Sequence, residues 1–196
     1  MLLTDELQAE LLERHVEAVA PLAEAGKLAA FVLQLSPAFS PRRHELAELE
    51  PVVGALRPHP LAVELRNRGW LEPARAEATL EELTRIGAVH VCVDAPQGDQ
   101  LTIVPMVDAV TDERLAYMRL HGRNLEGYVH GRTVAERFDW DYSDEELLEI
   151  RERAYALAEE AAEVRVMYNN NSGAKAPRAA ERFRELLGQV PAGARS

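Results

Sequence analysis

Five short apolar runs, separated by stretches of helical periodicity, constrain this chain more than any other feature. They fall at Phe31–Leu35, Leu61–Leu65, Val89–Val93, Leu115–Leu120 and Val164–Tyr168. Their cores (FVLQL, LAVEL, HVCV, LAYMRL, VRVMY) are apolar at both alternating sets of positions. A strand with one wet face alternates apolar and polar residues, whereas a strand covered on both faces does not. Strands of this kind alternating with helices imply a parallel sheet with helices packed over it. The expected fold class is therefore α/β, in one domain over residues 1–196.

The helices carry their own signals. Thr4 to Ala25 is expected to be amphipathic, with Thr4 as N-cap and Asp5 and Glu6 at the positive end of the dipole. Leu7, Leu11, Val16, Val19 and Leu22 form its apolar face, and Gly26 stops it. Ser40-Pro41 is expected to open a helix to about Leu56, kinked at Pro51. Thr79-x-x-Glu82 and Ser143-x-x-Glu146 resemble capping boxes for helices ending near Ile86 and Ala162. His121 to Tyr142 reads as a long loop, and Pro177 begins a last helix ending near Leu187.

Composition excludes several classes. The net charge is −11, with no block of lysine and arginine, so a nucleic-acid partner is not expected. No apolar run approaches the ~20 residues that cross a bilayer. The N-terminus carries acids within six residues, unlike a secretory signal. The single cysteine, Cys92, lies in a strand; a packed thiol is the ordinary reading and a catalytic thiol the sharper one. A reducing, cytoplasmic compartment is the expectation.

Polar residues gather where the strands end. The runs close with Gln34, with Glu64 and Arg66 (Asn67 and Trp70 following), with Asp94, with Arg119, His121, Arg123 and Asn124, and with Asn169, Asn170 and Asn171. The carboxyl edge of a parallel sheet is where such folds build ligand sites. Residues two apart on a strand share a face, so Glu64 pairs with Arg66, and Tyr117, Arg119 and His121 align. Glu64 could orient the Arg66 guanidinium as a planar ion pair. Arg119, Arg123 and His121 form a cationic corner suited to phosphate or carboxylate. His121 is suited to proton transfer near neutrality, or is simply a hydrogen-bonded structural histidine. Asn169 to Lys175 either seats an anion at a helix start or is a plain turn.

Glu64, Asp94 and His121 could converge as hard metal ligands, but no H-x-x-x-H or paired-cysteine spacing accompanies them. No metal is therefore expected, and no cofactor is indicated. G-x-G-x-x-G, P-loop and G-x-S-x-G patterns are absent from the sequence.

The motifs FVLQLSPAF, LAVELRNRGW, VCVDAP, YMRLHGRN and VMYNNNSGAKAPRAA, in that order, resemble the YecE-like family, domain of unknown function 72. The resemblance runs from about Leu12 to Leu187. It implies a (β/α) barrel of the TIM type whose reaction is uncharacterised. It also implies that Gln34, Glu64, Arg66, Trp70, Asp94, Arg119, His121, Gly122, Arg123, Asn169 and Asn170 line the strand-end face. Members begin with a G-T-S-G-W-like strand and two more strands that have no counterpart here. The barrel is thus expected to be N-terminally incomplete, through a late start, a truncation or a degenerate copy, with open edges inviting self-association. Ser36 replaces a usual proline and Ala180 a usual asparagine.

Two functional classes follow, with a third beside them. One is an enzyme acting by acid–base chemistry on a small anionic, phosphorylated or sugar-like substrate. Glu64 and His121 would be its catalytic groups; Gln34, Arg66, Trp70, Asp94, Arg119, Arg123, Asn169 and Asn170 would bind. The other is a non-enzymatic module for a nucleotide or another phosphoryl ligand. The third reading is an inactive truncated copy.

Overall fold

The computed structural model describes residues 4–170 and 172–189. Five parallel strands, β1 (Phe31–Gln34), β2 (Leu61–Glu64), β3 (Val89–Asp94), β4 (Ala116–Leu120) and β5 (Val164–Tyr168), lie in the order 1-2-3-4-5. All the expected strands are present. Strand order that follows chain order without reversal winds a sheet one way, as in a curled barrel segment, whereas a doubly wound sheet reverses.

Alternation divides each strand between two faces. The outward set packs under the helices. Leu61, Val63 and Leu65 share one core with Leu46 and Leu49 just before α2 (Glu50–Ala55), with Val53 on α2, and with Leu83 and Ile86 on α3 (Ala76–Ile86). Cys92, Met118 and Leu120 meet α6 (Asp144–Ala158) and α7 (Lys175–Leu186) through Leu147, Ile150, Leu157, Ala179 and Phe183. Full burial of each such aliphatic side chain contributes about 1.5–3 kcal/mol. The first helix, α1 (Asp5–Glu24), begins where expected, with the Thr4 hydroxyl accepting from Leu7 N–H at 3.2 Å. Leu12 and Val19 pack against the first core, while Leu11 and Leu22 remain exposed.

Three local expectations are corrected. No helix starts at Ser40. A 3-10 turn over Leu46–Leu49 is closed by a reciprocal Glu45–Glu48 capping box, and α2 follows with Pro51 in its first turn. Pro51 therefore starts a helix instead of kinking one, because a first-turn residue has no intrahelical N–H bond to lose. Thr79 is not a cap. It is buried inside α3 and its hydroxyl donates to the Trp70 carbonyl at 2.7 Å. The segment 121–142 is not structureless: it holds α4 (Leu125–His130) and α5 (Val134–Arg137), capped by Asn124 and Thr133. Ser143 and Glu146 do form the expected capping box, α6 ends at Ala158, and α7 starts at Lys175, before Pro177.

Candidate functional site

The ladder register builds the site. Gln34 pairs with Glu64, Ala62 with Val89, Val91 with Tyr117, Val93 with Arg119, and Arg119 with Met167. Gln34, Glu64, Tyr117, Arg119 and, two residues past Arg119, His121 therefore stand on the concave face. Asp94, one residue past Val93, stands on the convex face.

Glu64 is the centre of the concave cluster and is fully buried. Its Oε1 accepts from Gln34 Nε2 at 2.8 Å and lies 3.4 Å from Arg66 Nη1 and 3.3 Å from His121 Nε2. Its Oε2 pairs with Arg119 Nη1. The expected Glu64–Arg66 ion pair is present, made through one guanidinium nitrogen. Burial alone would raise the Glu64 carboxyl. The contacts to His121, then Gln34 and Arg119, outweigh it and hold the pKa at about 2. A carboxylate so stabilised is a weak proton acceptor near neutrality.

His121 is buried, with its ring fixed from the other side. The Asn169 amide nitrogen lies 3.0 Å from Nδ1, which makes Nδ1 the acceptor and leaves the proton of the neutral ring on Nε2. Nε2 faces Glu64 without the alignment of a good hydrogen bond. Beside it is a cavity of about 20 Å³, room for one water, lined by Glu64, Arg66, Val93, Thr102, His121 and Phe138 among others.

Several expected ligand residues face elsewhere. Asp94 accepts from Arg123 (Nε 3.1 Å, Nη2 2.7 Å), Arg153 Nη1 (2.7 Å) and the Tyr142 hydroxyl (2.9 Å). Burial opposes its charge, but Arg123, Arg153 and Tyr142 hold the carboxyl below the usual range. Arg123 also binds Glu149 and so leaves the cationic corner that its spacing from Arg119 suggested. With Asp94 on the opposite face from Glu64, the trio Glu64, Asp94 and His121 does not converge. Trp70 is buried in the first core, stacked on Phe39 and donating to its carbonyl, and so stands apart from the Glu64 cluster. Asn170 donates to the Trp140 carbonyl, and Lys175 pairs with Asp139. Asn171 lies outside the described residues.

The sequence reading missed four contributors. Phe138 stands 5.7 Å from the His121 ring, and Tyr128, beside Phe138, donates to Thr102. Both come from the segment read as a plain loop. Tyr142 and Arg153 organise Asp94. Neither lies at a strand end, and only the three-dimensional packing brings them there.

The whole described face carries one relationship to known proteins. The family model "Protein of unknown function DUF72" matches residues 2–195. The chain belongs to the DUF72 family. It is similar to the UPF0759 protein YunF of Bacillus subtilis (strain 168), 31% identical over 182 residues, which are 91% of this chain and 64% of YunF. The chain thus spans somewhat less than two thirds of that curated relative's length. Among solved structures it is similar to a DUF72 family protein of Enterococcus faecalis V583 (TM-score 0.86, 31% identity, 93% of this chain and 67% of that one). A DUF72 family protein of Thermotoga maritima MSB8 gives a TM-score of 0.81 at 30% identity, over 92% of this chain and 66% of that one. Among the described residues no helix is long and apolar enough to cross a membrane.

Proposed function

We propose that this DUF72 chain seats a small anionic ligand, phosphorylated or sugar-like, on the concave face at the strand C-termini. The observation that carries the reading is one buried, ionised Glu64 set against two partly exposed guanidiniums, Arg66 and Arg119. One carboxylate cannot saturate two guanidiniums, each of which carries five N–H donors. The two guanidiniums outnumber the carboxylate and keep unfilled donors toward the open face, and the His121 Nε2–H adds a second donor type. Such an arrangement recognises an oxyanion. The strand order and the similarity to longer DUF72 structures support reading the five strands as part of a TIM-type barrel, whose ligand edge is this one.

For an enzyme, the low Glu64 pKa changes the division of labour expected from sequence. Glu64 orients Arg66 and Arg119, and His121 is left as the group that moves a proton. The same observation favours a second reading, in which the site binds a phosphoryl ligand without converting it. A cytoplasmic location, and self-association through β1 and β5, which pair on one side only among the described residues, belong to the proposal as well.

Calorimetry at low salt with inorganic phosphate and a panel of sugar phosphates and sugar acids tests it. Saturable binding by the wild type that is abolished in Arg119→Met is expected, with conversion of the bound compound lost in His121→Gln. Binding without conversion selects the second reading. No binding of any anion, or equal binding by Arg119→Met, overturns both.

A further inference from the structure

The Asp94 cluster lies on the opposite face from the ligand cluster, yet it holds the backbone that carries His121. Three successive residues are tied to it. His121 N–H donates to the Asp94 carbonyl at 2.8 Å. Gly122 N–H donates to the Tyr142 hydroxyl at 2.9 Å, and that hydroxyl donates to Asp94 Oδ1 at 2.9 Å. Arg123 closes on both Asp94 oxygens. From the far side Arg153 on α6 braces Asp94 Oδ2 and is itself held by Asp108 at 2.7 and 2.9 Å.

The turn at Gly122 explains the need for this. Its φ is +86°, and a Cβ there would meet Trp140 Cβ at 2.5 Å. The chain must reverse sharply between His121, which faces the concave side, and Arg123, which faces the convex side. A buried ion cluster is a poor source of stability, because apolar packing of the same volume serves as well or better. What it supplies is direction: a carboxylate that accepts four hydrogen bonds has one orientation. The Tyr142 phenol stays protonated, since burial and then the Asp94 charge push it above its ordinary range, so it can always donate.

We propose that Asp94 and Tyr142 are positioning residues for His121, fixing its ring against Asn169 so that Nε2–H faces the Glu64 and Arg66 side of the site. This inference rests on the anion-site reading for its purpose, though not for its test. Neither residue touches the concave face, so neither is catalytic.

The ring nitrogens of His121, followed by nitrogen-15 NMR and assigned with His121→Gln, report the tautomer directly. In the wild type Nε2 is expected to be the protonated nitrogen. Tyr142→Phe removes the bridge while keeping the ring, and the two nitrogen signals are then expected to move toward one averaged position. Arg123→Ala, at a partly exposed side chain, gives the same change in smaller degree and decides the matter if Tyr142→Phe fails to fold. Leu157→Ala, a core truncation under the same helix, is the control for stability loss alone and leaves the tautomer unchanged. Ring signals identical to wild type in the folded variants overturn the inference, as does an equal shift in Leu157→Ala. Phosphate titration separates this from the anion-site reading. Where that reading holds, Tyr142→Phe weakens phosphate binding several-fold. A wild type that binds no anion, with ring signals that move as expected, overturns that reading and leaves the positioning intact.

Discussion

The Arg119 guanidinium on β4 crosses the intervening strand β3 to pair with Glu64 on β2. The crossing is open because β3 presents only valines, Val89, Val91 and Val93, to that face. The contacts gathered on Glu64, from His121 first and then Gln34 and Arg119, make the fold sensitive to acid. The folded-state pKa of Glu64 is about 2 against an ordinary 4.5, so its contribution is present in full above about pH 4.5 and disappears as pH falls toward 2. That contribution is on the order of 3 kcal/mol. Urea unfolding free energies measured from pH 6 to pH 2.5 are expected to fall more steeply in the wild type than in Glu64→Gln. Parallel curves would show that Glu64 is not held ionised by its neighbours.

The turn after His121 tolerates only glycine. Gly122→Ala places a methyl at positive φ and against Trp140 Cβ, and either strain alone costs about 1–3 kcal/mol. Denaturant titration is expected to show a loss of about 2 kcal/mol or more, whereas Gly54→Ala, on α2 with open space around it, is neutral or stabilising. Equal stability of Gly122→Ala and wild type would contradict the turn geometry described above.

How much of this was legible beforehand depends on which physics sets each feature. The strands were, because a strand covered on both faces writes its burial into consecutive apolar residues, as at Leu61–Glu64 and Val89–Asp94. The gathering of Glu64, Arg66, Arg119 and His121 was legible too, since parity along a strand survives folding. Parity between strands was not. Asp94 looks like another strand-end carboxylate, yet register places it on the convex face, and register depends on pairings that no single strand encodes. Arg123 was misplaced for a similar reason: two residues past His121 it would share its face on a strand, but the Gly122 turn intervenes. Trp70 joins the core and not the Glu64 cluster, and an aromatic near a strand end looks the same in either place. The helix near Pro41 failed because Ser-Pro opens turns as readily as helices, and Pro51 served as a first-turn residue.

Cys92 offers a simple probe of global unfolding. It is fully buried on the convex face, with Sγ against the Ala109 carbonyl, and burial pushes its thiol up to about 12. Without a thiolate or a path for solvent, a disulfide reagent at pH 8 is expected to react only when the protein opens globally. The modification rate should therefore rise with urea in step with the unfolding equilibrium. Rapid labelling in the absence of denaturant would mean that β3 is reached through a local opening.

The segment carrying Tyr128 and Phe138 is expected to open first. α4 and α5 contain no buried residue, and Leu125, Val129 and Val134 are exposed. What holds them over the site is a few polar ties: Tyr128 to Thr102, and Asn124 to the carbonyls of Glu136 and Asp139. Backbone with so little apolar burial opens at a small fraction of the global free energy. Hydrogen exchange followed by mass spectrometry should show amides of 125–138 exchanging well before those of β3 and β4. The cavity behind Phe138 holds only about one water. A ligand larger than a water that reaches His121 from that side must displace this segment, and one that enters from the open concave face need not. Faster exchange across 125–138 on adding phosphate selects entry beneath Phe138. Unchanged exchange, with phosphate bound, selects the concave face of Arg66 and Arg119.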